Sequence, residues 1–171
     1  MAWKIVIERG NLGFSAAHFI TLDGAIEPLH GHNYGVRVEV SGDLSPDSIV
    51  LDFVRFKDIV RGLCKEWDHR FLMPLTNPLL QVRDSGAGAW EIAAEDGTRY
   101  VLPRSTVVAL AVDNVTTERL AERLAVRIAE VLSQRGMSAG LRTIEVGISE
   151  TEMQTASYML ELPAGALKSP P

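Results

Sequence analysis

The feature that most constrains the fold is the segment 34–41, in which apolar and polar residues alternate strictly. Val36, Val38 and Val40 fall on one face of this segment, as expected for a half-buried strand. Turn residues separate this segment from its neighbours, which predicts an antiparallel meander. Shorter segments with strand character lie at 3–7, 14–18, 48–51, 142–149 and 157–162.

Two helices are predicted between these strands. Asp52 can cap the first helix, whose apolar residues recur at helical spacing from Phe53 to Cys64. The second opens at residues 116–118 and ends before Gly136, which suits a left-handed cap. Between them lies an insertion, about 75–110, with a hairpin turn signal at 95–97. The order favours an α+β fold with an antiparallel sheet and two helices packed on one face.

The composition excludes several classes of protein. The chain has 171 residues, 46% of them hydrophobic, and a net charge of −5, which fits one globular domain over residues 1–171 and argues against disorder. No apolar run reaches membrane-spanning length, and no basic stripe suggests nucleic acid. The N-terminus lacks a signal peptide, so we expect a cytoplasmic protein. Cys64, the single cysteine, continues the apolar stripe of the first helix and should be buried; the tail 168–171 should fray.

The four histidines are the most informative residues for function. His30 and His32 stand two apart on an extended segment, so both side chains point to the same face. His18 ends another extended segment, which an adjacent strand could place opposite them. Three neutral imidazoles with a vacant fourth position are typical of catalytic zinc, although imidazole also binds copper, nickel and iron. Surface or hydrogen-bonded core histidines would give the same pattern, so both interpretations stand.

Further titratable groups have two interpretations each. Asp68 could orient His69 as an acid or base, or His69 could simply favour the end of a helix. Glu27, three residues before His30, could be a general base beside a metal or a solvated loop charge. Glu150, near the end of an apolar strand, could grip a planar pair of N–H groups or lie on the surface.

Taken in order, five short segments resemble one known family, that of 6-pyruvoyltetrahydropterin synthase and 6-carboxytetrahydropterin synthase. The resemblance covers about residues 3–162 except 75–110. It implies the tunnelling fold (T-fold), in which subunits assemble into rings, commonly hexamers, and act on a small pterin substrate. The segments are F-S-A-A-H at 14–18, L-H-G-H-N-Y at 29–34, W-D-H at 67–69, T-T-E at 116–118 and S-E-T at 149–151.

The same resemblance implies a role for each matching residue. Glu150 would anchor the amino-pyrimidine edge of the pterin, with Thr116 and Thr117 near the ring. Asp68 and His69 would form a proton-relay pair. The zinc ligands that it implies are His18, His30 and His32.

The sequence departs from the family at one catalytic position. Family synthases carry a cysteine four or six residues before the first histidine of H-G-H, where this chain has Ile26 and Gly24. Glu27 stands in this loop instead, which resembles a variant group in which glutamate replaces the cysteine. That group cleaves the side chain of 7,8-dihydroneopterin triphosphate to 6-hydroxymethyl-7,8-dihydropterin, a folate precursor.

We therefore expect a zinc-dependent lyase of this kind. Three alternatives stay open. They are 6-carboxytetrahydropterin synthesis, which belongs to queuosine biosynthesis, 6-pyruvoyltetrahydropterin synthesis, and a non-catalytic protein that binds pterin or zinc.

Overall fold

A computed structural model describes residues 2–8, 12–86, 88–151 and 153–163. The tail 168–171, for which fraying is predicted, lies outside these residues. The strands are β1 (Trp3–Ile7), β2 (Gly13–His18), β3 (Thr21–Leu22), β4 (Ala25–Ile26), β5 (His30–Gly42), β6 (Arg70–Pro74), β7 (Leu80–Asp84), β8 (Ala89–Ala94), β9 (Arg99–Pro103), β10 (Val107–Leu110), β11 (Leu141–Thr151) and β12 (Gln154–Glu161). The helices are α1 (Phe53–Trp67) and α2 (Thr117–Gln134).

Seven of the described strands form the main sheet, in the order β10-β6-β2-β5-β11-β12, and β1 also pairs with β5. The long strand β5 pairs antiparallel with β1, β2 and β11. Its alternating segment places Val36, Val38 and Val40 in the core, as predicted. Two pairings at the far side, β2 with β6 and β6 with β10, are parallel. The sheet is therefore mixed, with an antiparallel centre.

Both helices form where the sequence predicts them. Asp52 caps α1 by accepting from the backbone N–H groups of Val54 and Arg55, and Thr116 caps α2. Gly136 follows α2 with a φ of +66°, a conformation that costs glycine little. The apolar stripes of both helices join one core with the sheet, so the α+β class is confirmed. Within the described chain, no helix has the length and hydropathy needed to cross a membrane.

The insertion forms a small antiparallel sheet of its own. The predicted hairpin is present as β8 and β9, and its turn contains Gly97 at a φ of +89°. A third strand, β7, extends it. This sheet encloses a second apolar cluster with residues from the main sheet, in which Tyr100 stacks on Phe19 with ring centroids 5.4 Å apart.

One predicted strand is wrong. The segment 48–51 is a loop after the turn at 46–47, and Ser48 has a φ of +60°. The N–H of Ser45 donates to the carbonyl of Ile49 across this loop at 2.8 Å. The loop connects β5 to Asp52, the cap of α1. Strand propensity in this segment is overridden by the need for a reversal there.

The burial of α2 leads to a stability prediction. Leu124 is fully buried between α2 and the sheet, whereas Val54 is 66% exposed on α1. Leu124→Ala should lower the free energy of unfolding by about 2–5 kcal/mol, because it removes methyl groups and leaves a cavity. Val54→Ala should change it by less than about 1 kcal/mol. Urea denaturation followed by circular dichroism measures both, and equal losses would contradict the assigned packing.

Candidate metal centre and active site

The antiparallel pairing of β2 with β5 brings three histidines together. His18 lies directly opposite His30, and His32 follows two residues along the same face of β5. The ring centroids are 4.5 Å apart for His18 and His30, 4.9 Å for His30 and His32, and 5.2 Å for His18 and His32. One nitrogen from each ring lies within 4.8 Å of the others. This spacing suits three ligands of one metal ion.

Gly31 allows the two strands to approach closely between these histidines. A Cβ atom added at Gly31 would lie 3.1 Å from the carbonyl oxygen of Ala16, closer than most such contacts. A side chain at this position would therefore push β5 away from β2. The close approach of the two strands therefore explains why the middle residue of the H-G-H motif is glycine.

Two backbone carbonyls determine which ring nitrogens are free. The Nδ1 of His18 lies 2.9 Å from the carbonyl oxygen of Val115, and the Nδ1 of His30 lies 2.8 Å from that of Pro28. Because a carbonyl only accepts, each Nδ1 carries the proton and each Nε2 keeps its lone pair. The Nε2 of His18 is buried and has no hydrogen-bond partner among the described residues. A metal ion would satisfy this atom.

Burial also keeps His18 neutral. Its side chain is 1% exposed, and this desolvation lowers the pKa of His18 to about 4. The carbonyl of Val115 partly opposes the shift, and the neighbouring His30 and His32 add to it. A neutral imidazole is the form that binds metal. At neutral pH His18 is thus in its metal-binding form.

Tyr34 borders the histidines and was not singled out from the sequence. Its ring lies 5.6 Å from His32 and 5.9 Å from His18, and its buried hydroxyl has no partner among the described residues. Burial, and then the charge of Glu150, raises the pKa of Tyr34. Its position two residues after His32 on the same strand is the sequence signal that could have identified it.

Two carboxylates on different elements are candidates for this region, Glu27 by its position three residues before His30 and Glu150 by its charge effect on Tyr34. Glu27 follows the small hairpin of β3 and β4, is half-buried, and its side chain has no hydrogen bond or ion pair with any described residue. Glu150 is half-buried near the end of β11, one residue beyond the pairing of Ser149 with Gly35. Both carboxylates are therefore available to a ligand.

Asp68 and His69 form a contacting pair at the end of α1. The Nδ1 of His69 lies 2.9 Å from Oδ2 of Asp68, and Oδ1 of Asp68 accepts from the N–H of Ser15 at 2.8 Å. That N–H, and then His69, holds the pKa of Asp68 below its usual range. The ring of His69 is exposed.

The Asp68–His69 pair is separate from the cluster of His18, His30 and His32. Among the described residues no hydrogen bond or ring contact joins His69 to them. His69 and His32 do line the same open cleft of about 510 Å³, together with Ser15 and Asn33. The structure thus places His69 in the same cleft as His32 without assembling all four histidines into one cluster.

Thr116 and Thr117 stand at the start of α2. The hydroxyl of Thr116 accepts from the N–H of Arg119 at 3.4 Å, and that of Thr117 donates to the carboxylate of Glu118 at 3.4 Å. Both follow directly after Val115, whose carbonyl orients His18. Their contact with a pterin ring stays a prediction.

Cys64 lies in the core on α1. It is 2% exposed, and burial raises the pKa of its thiol to about 11. The interpretation of Cys64 as a small buried hydrophobe agrees with this position. A thiol in this environment is a poor proton shuttle at neutral pH.

Comparison with known proteins identifies similar sequences and structures. The sequence model of the family described as 6-pyruvoyl tetrahydropterin synthase matches residues 9–161. A protein of Methanocaldococcus jannaschii named putative 6-carboxy-5,6,7,8-tetrahydropterin synthase is 32% identical over 88% of this chain and 91% of its own length. A Pyrococcus furiosus protein named dihydroneopterin monophosphate aldolase is 41% identical over 34% of this chain and 50% of its own.

A solved structure extends the similarity to the whole fold. It is Plasmodium vivax 6-pyruvoyltetrahydropterin synthase in a form that carries alanine in place of a glutamate described as a catalytic residue. It matches this chain with a TM-score of 0.88 and 27% identity, and covers 95% of this chain and 99% of the other. The T-fold is therefore shared.

The arrangement of the histidines predicts which of them bind metal. His18→Ala, His30→Ala and His32→Ala should each reduce bound metal at least ten-fold, because two imidazoles alone form a weak site. His69→Ala is the matched control and should bind as the unchanged protein does. Dialysis against zinc followed by elemental analysis measures the ions per chain. Loss of metal in His69→Ala, or retention in His18→Ala, would contradict the assignment.

The burial of Cys64 predicts slow alkylation. Raising the thiol pKa from 9.0 to about 11 reduces the thiolate fraction at pH 8 about a hundred-fold, and lack of access slows the reaction further. Iodoacetamide should therefore modify the folded protein at least a hundred-fold more slowly than the urea-unfolded chain. Mass spectrometry follows the adduct over time. Comparable rates in the two states would show an accessible thiol.

Proposed function

Because the chain belongs to the 6-pyruvoyl tetrahydropterin synthase family, we propose that it is a zinc-dependent lyase acting on 7,8-dihydroneopterin triphosphate. The proposed reaction cleaves the side chain between C1′ and C2′ and gives 6-hydroxymethyl-7,8-dihydropterin, a folate precursor. The observation that carries this proposal is Glu27, three residues before His30, a half-buried carboxylate that has no hydrogen bond or ion pair with any residue that the structure describes. No cysteine occupies this loop.

The number of histidines and their nitrogen ligands suit a zinc ion. His18, His30 and His32 would hold it, and the unpartnered Nε2 of His18 is the strongest structural argument for an ion there. Zinc prefers nitrogen ligands, and three protein ligands leave a position for substrate, as in catalytic sites. The bound ion would supply a Lewis acid that lowers the pKa of the substrate's hydroxyl groups.

In the proposed mechanism Glu27 is the general base. It takes the proton of the C2′ hydroxyl, the O–H electrons form a carbonyl at C2′, and the C1′–C2′ electron pair moves into the conjugated pterin. His69, oriented by Asp68, delivers a proton that ends on C1′. The products are 6-hydroxymethyl-7,8-dihydropterin and a phosphorylated two-carbon aldehyde, so no oxidant or reductant is needed.

Other residues would bind and orient the pterin. Glu150 would accept two N–H groups of the amino-pyrimidine edge, as a carboxylate does from arginine. Thr116 and Thr117 would lie near the ring. Holding the ring in one orientation keeps the C2′ hydroxyl in reach of Glu27, which accounts for a large part of the rate in reactions of this kind.

Two relatives support this choice of reaction. The Pyrococcus furiosus relative is named an aldolase, and aldol cleavage breaks the same type of bond. The Plasmodium vivax structure carries a substitution at a glutamate described as catalytic. A catalytic glutamate is thus compatible with this fold.

A second candidate is 6-carboxytetrahydropterin synthesis, the queuosine pathway reaction. The name of the Methanocaldococcus jannaschii relative favours it. The absence of a cysteine from the 24–27 loop disfavours both this reaction and 6-pyruvoyltetrahydropterin synthesis. A protein that binds pterin or zinc without turnover is a further alternative, which the availability of Glu27 disfavours.

We further propose that the protein works in the cytoplasm as a homo-oligomer, a hexamer built from trimeric rings. Among the described strands β10 and β12 are the outer strands of the main sheet, so each has backbone groups free to pair with another copy. A ring of subunits would satisfy these edges.

The central prediction concerns Glu27. Glu27→Ala should lower kcat by about two orders of magnitude or more, the usual contribution of a general base, while bound zinc stays at the level of the unchanged protein. Glu95→Ala, which removes an exposed carboxylate from the insertion, is the matched control and should retain full activity.

The assay identifies the product by mass spectrometry after incubation with dihydroneopterin triphosphate or monophosphate. Formation of 6-hydroxymethyl-7,8-dihydropterin supports the proposal. Formation of 6-carboxy- or 6-pyruvoyltetrahydropterin supports the second candidates, and binding without product supports the non-catalytic one. Unchanged turnover by Glu27→Ala would exclude Glu27 as the base.

A further inference from the structure

The hairpin that leads into Glu27 is too small to hold its own shape. It consists of β3 and β4, two residues each, joined by Asp23 and Gly24 at positive φ. One backbone hydrogen bond joins Glu27 to the residue before the hairpin: its N–H donates to the carbonyl of Ile20 at 3.0 Å. Isolated two-stranded hairpins are marginally stable in water. The position of Glu27 therefore depends on contacts from outside the hairpin.

The side chain of Asn114 hydrogen-bonds both backbone groups of Thr21, the first residue of this hairpin. Its Oδ1 accepts from the N–H of Thr21 at 3.1 Å, and its Nδ2 donates to the carbonyl of Thr21 at 2.8 Å. The same Oδ1 accepts from the N–H of Val115 at 3.1 Å. One side chain thus satisfies both backbone groups of Thr21 and joins them to the segment 113–115.

Asn77 adds a second contact to the same residue. It is 5% exposed, and its Nδ2 donates to the hydroxyl of Thr21 at 2.8 Å and to the carbonyl of Asp113 at 2.6 Å. Its Oδ1 accepts from the N–H of Leu79 at 3.0 Å. Asn77 therefore connects the hairpin, the start of the insertion and the segment 113–115 in a partly buried network.

The insertion supports the other strand of the hairpin. Ile26, the residue before Glu27, packs against the second apolar cluster, which contains Phe19 and, from the insertion, Leu80 and Ile92. The hairpin is thus held by polar contacts at Thr21 and by apolar contacts at Ile26. These two residues pair with each other across the hairpin.

The segment 113–115 also orients a proposed metal ligand. The carbonyl of Val115 accepts from Nδ1 of His18 at 2.9 Å. Arg119 holds Asp113 by two hydrogen bonds, 2.8 and 3.0 Å long, which ties the segment to the first turn of α2. The contacts that hold the Glu27 hairpin and the hydrogen bond that orients His18 therefore involve the same short segment, 113–115.

We propose that Asn77 is a positioning residue that, through the hydroxyl of Thr21, holds the Glu27 carboxylate in place relative to His18, His30 and His32. Asn114 secures the backbone of the same threonine. The insertion is thereby part of the catalytic apparatus, because it carries Asn77 and packs on Ile26. This inference rests on the proposed role of Glu27 as the base. Loss of the network displaces the base without removing any group that touches the substrate, and displacement of about 1 Å is costly to rate.

The test uses Thr21→Val, which keeps the shape of the side chain and removes the hydroxyl that Asn77 binds. Thr21→Ser keeps that hydroxyl and is the conservative partner. Thr21→Val should lower kcat about ten-fold, with KM and zinc affinity within two-fold of the unchanged protein, and Thr21→Ser should recover kcat to within about three-fold. In the metal-free protein, hydrogen exchange of residues 20–27 should become at least five-fold faster in Thr21→Val alone.

A double-mutant cycle shows whether the network acts through Glu27. In the Glu27→Ala background, Thr21→Val should change kcat less than two-fold, because the group to be positioned is gone. An equal ten-fold loss in both backgrounds, unchanged exchange, or an equal loss in Thr21→Ser would overturn the positioning role and leave the proposed function intact. If Glu27→Ala keeps the full rate, the proposed base is wrong and the positioning role fails with it.

Discussion

The register of β2 against β5 is the constraint on which the site depends. Because side chains alternate along a strand, a shift by one residue would turn His18 away from His30 and His32. The register is held by stacking of Phe14 on Tyr34, with ring centroids 4.8 Å apart. The same two strands contribute to the core beneath both helices, so folding energy and site geometry favour one alignment.

The groups around the three histidines come from distant parts of the chain. The carbonyl that orients His18 lies just before α2, Glu27 follows a small hairpin three residues before His30, and Glu150 lies on β11. Each element is anchored by its own contacts to the main sheet or the insertion. A partly buried cluster of three imidazoles results.

The sequence predicted the elements whose residues alternate or recur at helical spacing: the central strands, both helices with their caps, and the extended segments that carry the histidines. It did not predict β6 and β10, because the buried run in Arg70–Pro74 does not alternate. The roles of the Val115 and Pro28 carbonyls could not be predicted from the sequence, because every residue has a backbone carbonyl. Nor did it predict that the contact between Asp68 and His69 would lie outside the histidine cluster, because this depends on packing at the end of α1.

The proposed catalysis requires three imidazoles to bind one ion that keeps a position open for substrate. X-ray absorption at the zinc edge of the purified protein measures this directly. We expect three imidazole nitrogens at about 2.0–2.1 Å, at least one further light atom that changes when a pterin is added, and no sulfur. A sulfur ligand, or a closed shell of four protein ligands that substrate does not alter, would contradict it.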